Sequence, residues 1–172
     1  MKKIKSLILA TVIIVASMVT NIQAKENIVF NKYNNIQVSK ELNKLHYKVK
    51  KLLIDNNISI EYDTIEQIEE NRTIHGTYYW NDNKIIINND NFSIEYALIH
   101  EIGHSLDDIL DISANEVLQD CYIESEIQFN DNDYFYSDFR EYIAESINLY
   151  FNNQLDTNTK TYKELNQILN NL

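Results

Sequence analysis

His100, Glu101 and His104 form an HExxH pattern inside the stretch Ile94 to Asp108, IEYALIHEIGHSLDD. Four residues apart, the two histidines share one face of a helix. Two neutral imidazoles on that face can ligate one metal ion, and Glu101 can reach a water bound to the same ion. That is the chemistry of a zinc peptidase. The bland alternative is a histidine pair on a solvated helix face. Tyr96, Ala97, Leu98, Ile99 and Ile102 weaken it, because they make the helix apolar nearly all round and so predict that it is buried. An unpaired polar group in such a place costs roughly 2–7 kcal/mol, and a metal ion is the economical partner for three of them. Gly103, one of two glycines in the chain, sits inside the motif at a helix cost of about 1 kcal/mol relative to alanine. Close approach of another backbone or of a substrate is the expected reason.

A catalytic zinc takes three protein ligands and keeps one open position. Residue 107 is Asp and residue 110 is Leu, so no HExxHxxGxxH extension supplies the third ligand. The best candidate segment is Phe139 to Glu145, FREYIAE, where Glu141 and Glu145 project from one face of an otherwise apolar helix. One of these acids can bind the metal while the other accepts a hydrogen bond from a ligand histidine and fixes its tautomer. A solvated acid pair is the alternative, weakened because like charges at this spacing repel unless something positive lies beside them.

HEIGH followed some forty residues later by EYIAES resembles the catalytic domain of anthrax lethal factor and the secreted Pro-Pro endopeptidases, over roughly residues 58–152. The resemblance implies a zincin-like fold, with zinc held by His100, His104 and Glu141 and with Glu145 in a supporting place around the ligands. It also implies that a tyrosine seven residues before the ligand glutamate stabilises the oxyanion. That residue is Tyr134, with Tyr136 as a near rival. Glu101 would take a proton from the attacking water and deliver it to the leaving amine.

The elements that must position these groups are legible as patterns. Ser39 reads as the N-cap of a helix carrying Leu42, Leu45, Val49, Leu52 and Leu53 at helical spacing and ending near Asp55 to Asn57. Ile58, Ile60 and Tyr62 alternate as a short strand, and a short helix is expected from about Thr64 to Glu70. Residues 77–80, 81–83 and 84–87 read as strand, turn and strand. Such a hairpin just before the motif helix could hold an extended peptide along its edge, and Tyr78, Tyr79 and Trp80 are candidate substrate contacts. Ser113 to Glu116 has capping-box form and opens a helix expected to reach Phe129. Residues 130–133 are expected to form a loop that resembles a calcium loop only weakly. Helices from about Asp138 to Asn152 and Thr159 to Asn170 follow. His46 and His75 lack a second ligand at metal spacing and are taken as structural or exposed. Cys121, the lone cysteine, lies in an apolar helical pattern and is read as a buried structural thiol.

The 172 residues, 44% of them hydrophobic, suit one domain with a real core. Lys2, Lys3 and Lys5 ahead of the apolar run Ile8 to Val19, with Ile22-Gln23-Ala24 after it, predict a secretory signal peptide over residues 1–24 and a single domain over 25–172. The run is short for a membrane span, though it could serve as an uncleaved anchor. Residues 1–24 carry three lysines and no acid, so the net charge of −11 for the whole chain becomes −14 for the remainder. Such a chain is expected to bind neither nucleic acid nor anionic membrane surfaces. The expectation is therefore an α+β, zincin-like protein, with a small twisted, mostly antiparallel sheet packed on helices. It is expected to act outside the cell as a zinc metalloendopeptidase on protein or peptide substrates, as a monomer by default. Two rivals keep part of this picture: an inactive zinc-binding module, and a toxin component acting in another cell with a partner.

Overall fold

A computed structural model describes residues 36–63, 68–69, 72–124, 127 and 138–172, which belong to one compact unit, Asn35–Leu172. Its class is α+β. Among the described residues there are six helices: α1 (Ile36–Leu42), α2 (Tyr47–Asp55), α3 (Asn91–Leu110), α4 (Glu116–Ile123), α5 (Phe139–Phe151) and α6 (Lys160–Asn170). The strands are β1 (Ser59–Asp63), β2 (Ile68–Glu69), β3 (Arg72–Thr73), β4 (Gly76–Tyr79) and β5 (Lys84–Asn88).

The main sheet has the order β1-β5-β4. It is mixed and not mostly antiparallel, because β1 runs parallel to β5 in the register Ile60 to Ile85 and Tyr62 to Ile87. Only the hairpin of β4 and β5 is antiparallel, pairing Gly76 with Ile87 and Tyr78 with Ile85. Its turn is a 3-10 turn over Trp80–Asp82 followed by Asn83 at φ 48°, a left-handed conformation that asparagine adopts more readily than most residues. Ile85 and Ile87 project from one face of β5 and are fully buried.

The motif helix α3 lies at the centre, packed against β4 and β5 on one side and against α1 and α5 on others. Ile94, Leu98, Ile99, Ile102 and Leu106 are all inaccessible to solvent, as the apolar pattern predicts, whereas Tyr96, at 46%, is exposed, so the helix is not buried all round. Asp90 caps its start by accepting from the Ser93 amide at 2.8 Å, and Asp111 ends it at φ 52°. The closing helices α5 and α6 start at Asp138 and Thr159 caps, each accepting from a first-turn amide.

Three local expectations are corrected. The single helix from Ser39 to Asp55 is two helices with a break between Leu42 and Tyr47. Backbone bonds from Lys44 to Glu41 and from Leu45 to Leu42 tighten the end of α1, and extended His46 then opens α2. Leu42, Leu45 and Val49 are all buried on either side of the break. Ile68 and Glu69, expected in a helix, instead pair as a strand with Thr73 and Arg72, while 64–67 lie outside the described residues. The helix expected from Ser113 starts instead at the Asn115 cap, whose side chain accepts from the Leu118 amide at 3.0 Å, and ends at Ile123. Ser113 itself sits in a 3-10 turn and donates its amide to Asp107.

Candidate metal centre

The site is built where α5 crosses α3. Gly103 makes that crossing close: a Cβ placed there would lie 2.8 Å from both the Cα and the carbonyl oxygen of Ala144. The glycine is therefore required by a neighbouring backbone, one of the two reasons its sequence position suggested. Ala144 lies within the EYIAE segment, so the contact brings Glu141 and Glu145 onto the histidine face of α3.

His100 is buried and bridges both acids. Its Nδ1 donates to Glu145 Oε2 at 3.0 Å, and its Nε2 lies 3.1 Å from Glu141 Oε2. The other oxygen of Glu141 lies 3.4 Å from His104 Nε2. Asn148 adds a second donor to Glu145 Oε2 at 3.2 Å. The two imidazole rings are 4.9 Å apart and nearly perpendicular, which points both Nε2 atoms toward one carboxylate. One donor atom from each of His100, His104 and Glu141 lies within 4.8 Å of the other two. A metal with bonds of about 2.1 Å to nitrogen and oxygen holds tetrahedral ligands about 3.4 Å apart. The 3.1 and 3.4 Å separations, one to each oxygen of Glu141, are close to that spacing, and two imidazoles with a carboxylate are a donor set for a transition metal. The cluster can hold a metal ion, with His100 Nδ1 tied to Glu145 so that Nε2 is the atom presented.

The electrostatics point the same way. Burial opposes a charge on His100, but hydrogen bonds to Glu141 and Glu145 outweigh it and raise its pKa to about 10. Burial likewise opposes the charge on Glu141, and His100 and His104 overcome it to hold that carboxyl well below the usual range. Carboxylates crowd this face strongly enough to retain a proton on a buried imidazole. A cation in the same place would take over that proton's role.

Glu101 faces the other way, toward β4. It is buried, and burial raises its pKa against the opposing pull of His100 and His104. The Tyr78 backbone adds a smaller pull in the same direction as the histidines. Gly76 lets the strand come this close: a Cβ there would lie 2.8 Å from Glu101 Cγ, 2.7 Å from the Ile87 Cδ1 and 3.2 Å from Ala97 Cβ. The sequence reading passed over this second glycine, although its place at the start of the hairpin was a signal of close backbone approach.

The three aromatic candidates on β4 and its turn do not act as one group. Tyr79 and Trp80 are exposed, at 40% and 62%. Tyr78 is half-buried and donates its hydroxyl to Asp108 Oδ2 at 3.2 Å, and burial together with Asp108 pushes its pKa up to about 12. The candidate oxyanion donors, Tyr134 and Tyr136, lie outside the described residues, as does the loop at 130–133. His46 and His75 do not join the cluster. His46 meets Tyr150 and Phe151 edge-on, and His75 hydrogen-bonds Ser93 Oγ at 2.8 Å beside the stacked rings of Phe92 and Tyr96. Cys121, the lone cysteine, is fully buried and forms no disulfide.

A set of residues at the C-terminal end of α3 was missed. Arg140 reaches from α5 to Asp107 at 3.2 Å and to Asp108 at 3.6 Å. The available signal was that Arg140, one of two arginines in the chain, immediately precedes Glu141. A comparison with protein-family models, with curated proteins and with solved structures finds no match to this chain.

Proposed function

We propose that this chain is a secreted zinc metalloendopeptidase of the type that joins an HExxH helix to a downstream glutamate, with a zincin-like arrangement of sheet and helices. The observation that carries the reading is the double engagement of His100, with Glu145 on Nδ1 and Glu141 shared between its Nε2 and that of His104. A carboxylate behind one ring nitrogen and a third ligand in front of the other are what a catalytic imidazole requires. The resemblance of HEIGH and EYIAES to the lethal factor and Pro-Pro endopeptidase motifs supports the same assignment.

His100, His104 and Glu141 would hold the ion, and Glu145 would orient His100. Zinc, when bound, supplies a Lewis acid that makes water acidic enough to attack a carbonyl near neutral pH. Glu101 then accepts the proton of the attacking water, for which a pKa raised by burial suits it, and passes it to the leaving amine. Among the described residues β4 is paired on one side only, with β5, so its other edge is the place for an extended peptide to add main-chain hydrogen bonds. Tyr79 and Trp80 are exposed beside that edge and would contact substrate side chains, while Tyr78 supports them through Asp108. Tyr134, with Tyr136 as its rival, is the proposed oxyanion donor on the resemblance alone.

Incubating the purified protein with a peptide library and mapping the products by mass spectrometry tests this directly. Cleavage should stop on chelation and return with zinc. Glu101→Ala should lower it by about 10²–10⁴-fold while metal content stays at one per chain. Cleavage that survives chelation, or a Glu101→Ala variant as active as the unaltered protein, would sink the assignment.

A further inference from the structure

We propose that Arg140 is a positioning residue for the metal centre, clamping the first turn of α5 onto α3 so that Glu141 stays on both imidazoles. The inference rests on the reading of His100, His104 and Glu141 as metal ligands. Glu141 stands in the first turn of its helix, three residues after the Asp138 cap. First turns are the weak part of a helix, because their amides lack intrahelical partners and their ends fray. A ligand carboxylate must nevertheless be held within about 0.5 Å of its working position.

Two contacts hold this turn. Asp138 Oδ1 accepts from the Arg140 amide at 2.7 Å, which fixes the turn internally. The Arg140 side chain then fixes it externally. Its Nε donates to Asp107 Oδ2 at 3.2 Å, and a terminal nitrogen lies 3.6 Å from Asp108 Oδ1. The aspartates are themselves anchored. The Asp107 side chain is wholly buried and takes the Ser113 amide on its other oxygen at 2.6 Å, while Asp108 takes the Tyr78 hydroxyl from β4. A planar guanidinium thus joins the helix of the third ligand to the two residues after His104's own turn, and through Tyr78 to the strand that Glu101 faces. Lysine cannot reproduce this, since its ammonium is a point charge that cannot span two carboxylates as a flat fork does. An ordinary half-exposed ion pair would leave metal binding untouched.

Cobalt(II) is a suitable probe, because its visible absorption reports coordination number independently of any peptide cleavage. In chelator-buffered titrations of the full chain, Arg140→Ala should bind cobalt about 10–100-fold more weakly than the unaltered protein, with an altered absorption band. Arg140→Lys should recover part of the affinity; metal-free Arg140→Ala should melt at a lower temperature, because buried Asp107 loses its counter-charge, with Arg140→Lys in between. If Arg140→Ala does not fold, Arg140→Lys alone decides, with an expected loss of several-fold. Unaltered affinity and spectrum in the substituted protein would overturn the inference while leaving the metal centre intact. Failure of the unaltered protein to take up cobalt would overturn the metal reading and this inference together.

Discussion

Two groups of carboxylates flank α3, fully buried at Glu41 and part-buried at Glu141 and Glu145, and they are satisfied in opposite ways. At α1, Glu41 is fully buried, ion-paired with Lys44, and accepts from Gln37 at 3.3 Å, while Lys44 also donates to Asn152 at 2.6 Å. Every charge there has a fixed counter-charge within the chain. At α5, Glu141 and Glu145 face His100 and His104, with Glu101 on the next residue, and no fixed cation of the described residues stands among them. That balance closes if an imidazole or one of the acids keeps a proton, or if a cation enters. Burial of an acid therefore does not mark a functional site. An excess of acid over permanent positive charge, with donor atoms converging on one point, does.

The sharpest way to break this comparison is to delete a ligand. His100→Ala should weaken zinc binding by on the order of 10²–10³-fold, since a structural-grade zinc site is worth about 10–16 kcal/mol spread over its ligands. Glu141→Ala should match it in chelator-buffered titrations, and Glu145→Ala should lose only about 10–100-fold. If Glu145→Ala loses more than Glu141→Ala, ligand and supporting acid are exchanged.

Next in size is the response to pH. His100 has its folded pKa raised to about 10, above the ordinary 6.5, so its contribution to the stability of the metal-free protein is fully present below 6.5. That contribution is lost as pH rises through about 10. Metal must displace the same proton, so zinc affinity should rise about tenfold per pH unit over this window. Chelator competition and thermal melts across pH should thus move in opposite directions. Affinity that is flat with pH would mean that no proton is displaced.

The smallest effect tests the other region. Lys44→Ala leaves Glu41 buried without its counter-charge, which should cost about 1–3 kcal/mol of stability by denaturant unfolding. Zinc affinity should not change. A loss of metal in this variant would show that the two groups are coupled through α3.

Much of the site could be read in the residues, because HExxH and the Glu141 and Glu145 pair are periodic signals that a helix translates directly into one face. The same holds for the hairpin, where strand-forming runs flank Asn81-Asp82-Asn83, and for the reason behind Gly103. What escaped notice depends on long-range contacts. The break between Leu42 and Tyr47 interrupts an unbroken helical pattern, and only the backbone bonds at Lys44 and Leu45 and the extended His46 reveal it. Parallel pairing of β1 with β5 joins segments twenty-five residues apart in register and leaves no local mark. Arg140 meets Asp107 across thirty-three residues, so neither residue type alone announced the pair.

The crossing at Gly103 has a genetic consequence. Every missense change in codon 103 adds at least a Cβ, and the atoms in its way are main-chain atoms of Ala144, which cannot rotate aside. Codon 103 has no neutral amino-acid neighbour, and each replacement wedges α5 away from the histidines. Codon 76 is different in kind. The obstacles there are side-chain atoms, and one of them, Ile87 Cδ1, is a flexible tip that can yield. Of the other two, Ala97 Cβ at 3.2 Å needs to give by only a few tenths of an ångström, and Glu101 Cγ can yield only by moving the proposed proton carrier. Variants at codon 76 should thus persist as folded, metal-loaded and slow proteins, whereas those at codon 103 should be lost as metal-binding proteins altogether.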